Sequence, residues 1–358
     1  MSDLESRIKA LIAAQGPISV AQFMTQALHD PKGGYYATRD PFGSGGDFVT
    51  APEVSQMFGE MLGLWCIQVW HDQGRPKNAR LVELGPGRGT LMSDVLRTLR
   101  SMPEFFENLE VVLVEASPVL QKIQQDKLKD SGTAPGWRNR FDETLSDRPL
   151  FLLANEFFDA LPIRQFVKTQ RGWCERMVTL SEGRLVFALA PTPTPSALIP
   201  ADRMEAPEGG VYESAPAATA LAEEIAAIIA RQGGGALITD YGFAAPGFGE
   251  TLQAVASHSF ADVLEEPGES DLSAHVDFAA LAQAAKHGGA CVFGPQNQGD
   301  FLVDVGIARR AEKLMATNPA AATTLVAGVE RLIAPDQMGT LFKAVALMPD
   351  AAPKPPGF

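Results

Sequence analysis

The chain has 358 residues, 46% hydrophobic and 20% charged, with 43 acidic against 30 basic side chains and a net charge of −13. This composition predicts a sizeable core in one large domain or two smaller ones; it speaks against a nucleic-acid substrate, whose phosphates need a basic face, and leans toward a basic partner. Cys66, Cys174 and Cys291 are too few and too widely spaced for a disulfide framework or a thiolate zinc site, which suits a reducing compartment.

Residues 1–30 read as two short helices, with "GPIS" as turn and cap between them. The opening carries early acids and lacks the charged-then-apolar order of a signal peptide. Neither a secretory nor a mitochondrial leader is therefore expected, and a bacterial-type cytoplasmic protein, or an already trimmed one, is the plain assignment. A membrane span is not expected either, because no run of about eighteen apolar residues occurs. Residues 31–49 are rich in Gly and Pro and predict a loop that is functional or mobile. Thr50 and Glu53 fit a capping box heading one helix, along which Val54, Met57, Phe58, Met61, Leu62 and Trp65 recur at helical spacing.

From residue 80 strand and helix alternate. "RLVELG" predicts a strand, 89–101 a helix, 109–117 a strand, and Pro118 opens the next helix. A weak strand near Trp137 precedes "PLFLLAN" (149–155), whose continuous apolar run predicts a strand buried on both faces. Repeated units of this kind predict an α/β fold with a parallel sheet covered by helices. Residues 163–190 break the alternation and read as an inserted antiparallel ribbon, edged by the stiff "PTPTPSALIP". The alternation resumes with helix 216–232, strand 235–242, a helix in "DFAALAQAAKHGG" and strands around "ACVF" and "LFKAVALMP". The expected organisation is a helical cap and lid over 1–75, a core over 76–162 and 216–348, and a ribbon over 163–215 on the substrate side.

The glycines of "ELGPGRGTL", Gly85, Gly87 and Gly89, stand where a strand hands over to a helix. Such a turn lets backbone lie against a ligand without a Cβ in the way. A dinucleotide fingerprint is G-x-G-x-x-G, with pyrophosphate on the helix N-terminus. Here the spacing is G-x-G-x-G, and Glu83 would repel a pyrophosphate but attract an amino group. That favours S-adenosylmethionine, which carries a sulfonium and an α-amino group and no phosphate. Glu115 closes the second strand and can accept both ribose hydroxyls of an adenosine; a solvated strand-end acid is the plainer alternative.

"LLANEFFDALP" places Asn155, Glu156 and Asp159 at the end of the fourth strand, the carboxyl edge where ligands of open α/β sheets bind. Glu156 and Asp159 can grip a guanidinium by bidentate bonds and orient one nitrogen toward a reacting methyl. Alternatively, Glu156 caps a helix and Asp159 anchors the turn before Pro162. The five histidines are scattered, none paired at i, i+4, so no metal site is expected. His275 reads as a structural residue.

"ELGPGRGTL", "NEFFDALP", "DYG" and "DLSAHVDF" together resemble the MidA family of class I S-adenosylmethionine-dependent methyltransferases, from about residue 17 to about residue 348. The resemblance implies a Rossmann-like seven-stranded sheet with a reversed last strand, for which "LFKAVALMP" is the candidate. It implies a protein substrate, since mitochondrial members are assembly factors that symmetrically dimethylate an arginine on a core subunit of respiratory complex I. It also implies that residues 45–60 lie over the cofactor, giving Asp47, Thr50 and Glu53 a role in binding alongside Glu83, Gly85, Gly87, Gly89, Glu115 and Asn155. The Asn/Asp-Pro-Pro-aromatic motif of many amine and amide methyltransferases is replaced here by Asn155-Glu156-Phe157-Phe158, and the extra carboxylate suits a guanidinium. Two other readings stand beside this one: an NAD-dependent oxidoreductase on a similar sheet, and a non-catalytic assembly chaperone that keeps S-adenosylmethionine as a structural ligand.

Overall fold

The computed structural model describes residues 2–38, 49–245, 247–256 and 259–358. The chain forms two compact units, one of Met1–Arg39, Asp159–Ala218 and Ala245–His275, the other of Asp40–Phe158, Thr219–Ala244 and Val276–Phe358. No helix among the described residues is long and apolar enough to cross a membrane.

In the larger unit, seven strands make one sheet: β1 Arg80–Leu84, β2 Glu110–Val114, β3 Gly136–Arg138, β4 Leu150–Asn155, β5 Gly234–Phe243, β6 Cys291–Asn297 and β7 Phe342–Met348. Their order is β6-β7-β5-β4-β1-β2-β3, and the short strand Val276–Asp277 adds to the end of β5. β1 through β5 are mutually parallel where they pair. β7 runs antiparallel to both neighbours, with Leu347 opposite Ala236 on one side and Val292 on the other. This is the class I methyltransferase arrangement, and "LFKAVALMP" is its reversed strand. Every residue of β1 and β4 is buried, Arg80 and Glu83 of β1 included, as strands covered on both faces must be.

Three helices shape the carboxyl edge: α1 Ala51–Val54, α2 Gln56–Asp72 and α3 Thr90–Leu99. The single helix expected from Thr50 is thus two. Ser55 is extended (φ −159°, ψ 133°), and its Oγ accepts the Met57 N–H at 3.2 Å. Thr50 makes no side-chain cap bond, so the expected capping box does not form. Its Glu53 accepts instead from Thr90 Oγ1 at 2.6 Å. α2 lies so close on α3 that a Cβ on Gly59 would stand 2.6 Å from Asp94 Cβ. Met57, Phe58, Met61, Leu62 and Trp65 of α2 are fully buried in the main core, which is why 49–75 belongs to this unit rather than to the cap.

The smaller unit gathers the rest. Helices Asp3–Gln15 and Val20–His29 flank Ile18–Ser19, and Ser19 with Gln22 closes the second helix in a capping box. The ribbon strands Arg164–Thr169, Gly172–Ser181 and Arg184–Leu189 form as expected, and Ile18–Ser19 pairs antiparallel with the middle one. That pairing puts the N-terminal helices and the ribbon in one unit instead of two. A three-stranded sheet of Gln253–Ala256, Ser259–Ala261 and Asp271–Ser273 was not foreseen; nor were the helices Gln298–Val305, Ile307–Thr317 and Ala322–Ile333 between β6 and β7.

Candidate functional site

The chain leaves β1 through a turn whose three glycines are all left-handed, with φ of 59°, 51° and 78° at Gly85, Gly87 and Gly89. The close approach is real at Gly85, where a Cβ would stand 2.7 Å from Phe157 Cδ2. A cleft opens here, walled by Thr50, Pro52 and Glu53, by Glu83 and the turn running to Leu91, and by Asn155 and Glu156. Seven of the residues assigned from sequence therefore line one space: Thr50, Glu53, Glu83, Gly85, Gly87, Asn155 and Glu156.

Glu83 is 2% exposed, and its Oε2 is buried without a hydrogen-bond partner among the described residues. Burial, with the nearby charge of Glu115, pushes its pKa up to about 8 against the pull of the Met92 N–H. A buried carboxyl oxygen without a donor fits an ammonium, whose charge favours the ionised form, whereas a phosphate would oppose that ionisation. Glu115 follows β2; its Oε1 accepts the Ser117 N–H at 2.8 Å and its Oε2 accepts from Gln124 Nε2 at 3.2 Å. Burial raises its pKa, and those donors oppose the rise. Gln124 also donates to Gly87 O at 2.8 Å and accepts from Trp137 Nε1 at 2.9 Å. It ties Glu115 to the glycine turn, a role its place on a helix face did not reveal.

Asn155 ends β4, where its Oδ1 accepts from Thr239 Oγ1 at 2.9 Å. Glu156 is left-handed (φ 49°), a conformation that costs a non-glycine residue about 1–3 kcal/mol and gathers at functional sites. Its Oε1 accepts the Ala51 N–H at 3.0 Å and Asn155 Nδ2 at 3.3 Å. Glu156 thus caps α1 while lining the cleft. Asp159 belongs to the smaller unit, 8% exposed, its main-chain oxygen accepting the Ala274 N–H at 3.0 Å. Asp47 lies outside the described residues.

Residues 61–296 match the model of a family described as S-adenosyl-L-methionine-dependent methyltransferases. The chain belongs to this family. The methyltransferase is 38% identical over 365 residues to the Homo sapiens protein named "Protein arginine methyltransferase NDUFAF7, mitochondrial", covering 94% of this chain and 81% of that one. The Danio rerio protein of the same name is 38% identical over 363 residues, 94% of this chain and 85% of its own. A COG1565 superfamily member from Burkholderia thailandensis, bound to S-adenosyl-homocysteine, matches with a TM-score of 0.88 at 30% identity, over 99% of this chain and 93% of that one. The cofactor of this methyltransferase is S-adenosylmethionine, the family's methyl donor. The orphaned Glu83 oxygen suits its amino group, and the G-x-G-x-G turn needs no pyrophosphate. Family membership does not favour the oxidoreductase and chaperone readings.

Proposed function

We propose that this methyltransferase modifies an arginine side chain of a protein. The observation that carries the reading is its 38% identity, over 94% of the chain, to a relative named a protein arginine methyltransferase. The chemistry of the acids supports it. A guanidinium stays protonated below a pKa of about 12 and is a weak nucleophile. Glu156, at the cleft, would grip it and orient one nitrogen, leaving charge on the others; Asp159 is assigned the same role from its place in "NEFFDALP". S-adenosylmethionine, when bound, supplies an electrophilic methyl group on its sulfonium.

Around it, the backbone of Gly85, Gly87 and Gly89 would lie against the methionine end, with Glu83 receiving the α-amino group. Glu115 keeps lone pairs beyond those used by Ser117 and Gln124, and these would take the ribose hydroxyls. Asn155, Thr50 and Glu53 would complete the binding walls, with Asp47 from the same segment. By family resemblance the substrate is a subunit of respiratory complex I. The proposed compartment is the cytoplasm, although the Homo sapiens and Danio rerio relatives are named as mitochondrial.

Mass spectrometry of candidate subunits incubated with this protein and S-adenosylmethionine tests the reading. One or two methyl groups should appear on an arginine. Glu156→Gln and Asp159→Asn should each slow their appearance roughly 100-fold, as loss of one charge-stabilising group does. Methylation of another residue type, or both variants acting like wild type, would refute it.

A further inference from the structure

We propose that Asp240 is a positioning residue for methyl transfer, fixing the turn at Glu156–Phe158 in the one shape that holds both walls of the cofactor cleft. Asp240 lies in β5 and is fully buried. Its Oδ2 accepts the N–H groups of Phe157 at 3.1 Å and Phe158 at 2.9 Å, and its Oδ1 accepts the Tyr241 N–H at 2.9 Å. The sheet ladder reaches as far as Glu156, whose N–H donates to Thr239 O at 3.0 Å. Beyond it the left-handed step at Glu156 carries the chain out of register, and the next two N–H groups need another acceptor. Asp240 is that acceptor.

Two consequences follow from the turn's shape. The Glu156 carboxylate reaches the Ala51 N–H, securing α1, whose Thr50, Pro52 and Glu53 face the cleft. The Phe157 ring comes to rest on Gly85, seating the glycine turn. One carboxylate bonded to the turn's main chain thereby sets both sides of the cleft. Burying a carboxylate in a strand that also buries Ala236, Leu237 and Ile238 is unfavourable unless charge-assisted hydrogen bonds of this kind offset it.

The proposal rests on the cofactor lying over Gly85–Gly89 and does not depend on which group is methylated. Calorimetric titration of the full chain with S-adenosylhomocysteine tests it, at a temperature where circular dichroism shows every variant folded. Asp240→Ala should raise the Kd at least tenfold. Asp240→Asn should raise it less, because its single amide oxygen can take the place of Oδ2 and accept both turn N–H groups, at the loss of the Tyr241 bond. Val345→Ala, a control opposite Ile238 in the same sheet, should lower the Tm yet keep the wild-type Kd. Asp240 variants with wild-type Kd, or a control that loses as much affinity, would overturn the proposal. Asp240-dependent binding in a protein that methylates no arginine would uphold it and defeat the substrate reading.

Discussion

Glu83 makes the pH dependence of cofactor binding a residue-level test. Its folded pKa of about 8 stands above the ordinary 4.5, so in the ligand-free protein it holds a proton at neutral pH. An incoming ammonium favours the ionised form, and binding should release that proton. Affinity for S-adenosylhomocysteine should rise from about pH 6 and level off above about pH 8, where Glu83 is ionised and the ligand's α-amino group is still charged. Glu83→Gln should flatten the rising limb. For stability the sign is the reverse: a raised folded pKa contributes fully below the unfolded value of 4.5, and the contribution is lost as pH rises through about 8. Without ligand, Glu83→Gln should therefore match wild type at acid pH and exceed it by several kcal/mol above pH 8 in urea unfolding, the loss building up between pH 4.5 and about 8. Gly85→Ala should do the opposite. It combines a left-handed φ of 59° with a Cβ 2.7 Å from Phe157, destabilising the protein by about 1–3 kcal/mol and weakening cofactor binding in the same titrations.

At the scale of elements, α1 and α2 show why a periodic pattern hides a break. Val54 through Trp65 keep helical spacing across Ser55, so nothing in the apolar stripe marks the extended residue. The cap belongs to Ser55, and Ser55→Ala should cost about 1 kcal/mol in thermal or chemical unfolding. The Thr50–Glu53 box was misleading because Glu53 has a better partner, Thr90, 37 residues away. α2 also carries Glu60, 4% exposed, which takes Arg310 Nε and Nη2 at 2.7 and 2.9 Å and Arg97 Nη2 at 3.2 Å. Burial alone would push its pKa up, but the two guanidiniums outweigh it and hold it below the usual range. Its contribution is present above the unfolded pKa and fades as pH falls through the depressed folded one. Arg310→Met should cost about 2–3 kcal/mol, short of a fully buried pair because Arg97 remains; unfolding measured at neutral pH gives the difference directly.

Across the whole molecule, what was legible follows from physics that acts locally. Strand–helix alternation predicts a parallel sheet, and the carboxyl ends of β1 and β4 are where such sheets bind ligands, so the places of Glu83, Gly85, Gly87, Asn155 and Glu156 in the chain already pointed to the one cleft that they line. What escaped depends on distant pairing. Two residues, Ile18 and Ser19, join the N-terminal helices to the ribbon, too short a strand to stand out as a pattern. Gln124 and Asp240 act through main-chain groups brought near only by the fold. The account as a whole depends on Glu83 selecting an ammonium-bearing nucleoside that lacks phosphate. Calorimetric titration of wild type and Glu83→Gln with S-adenosylhomocysteine and with NAD decides it. The account predicts saturable binding of S-adenosylhomocysteine alone, weakened about tenfold or more in the variant, as loss of a charged hydrogen bond of about 1.5–3 kcal/mol implies. Equal affinity in the two proteins, or binding of NAD at the glycine turn, would contradict it.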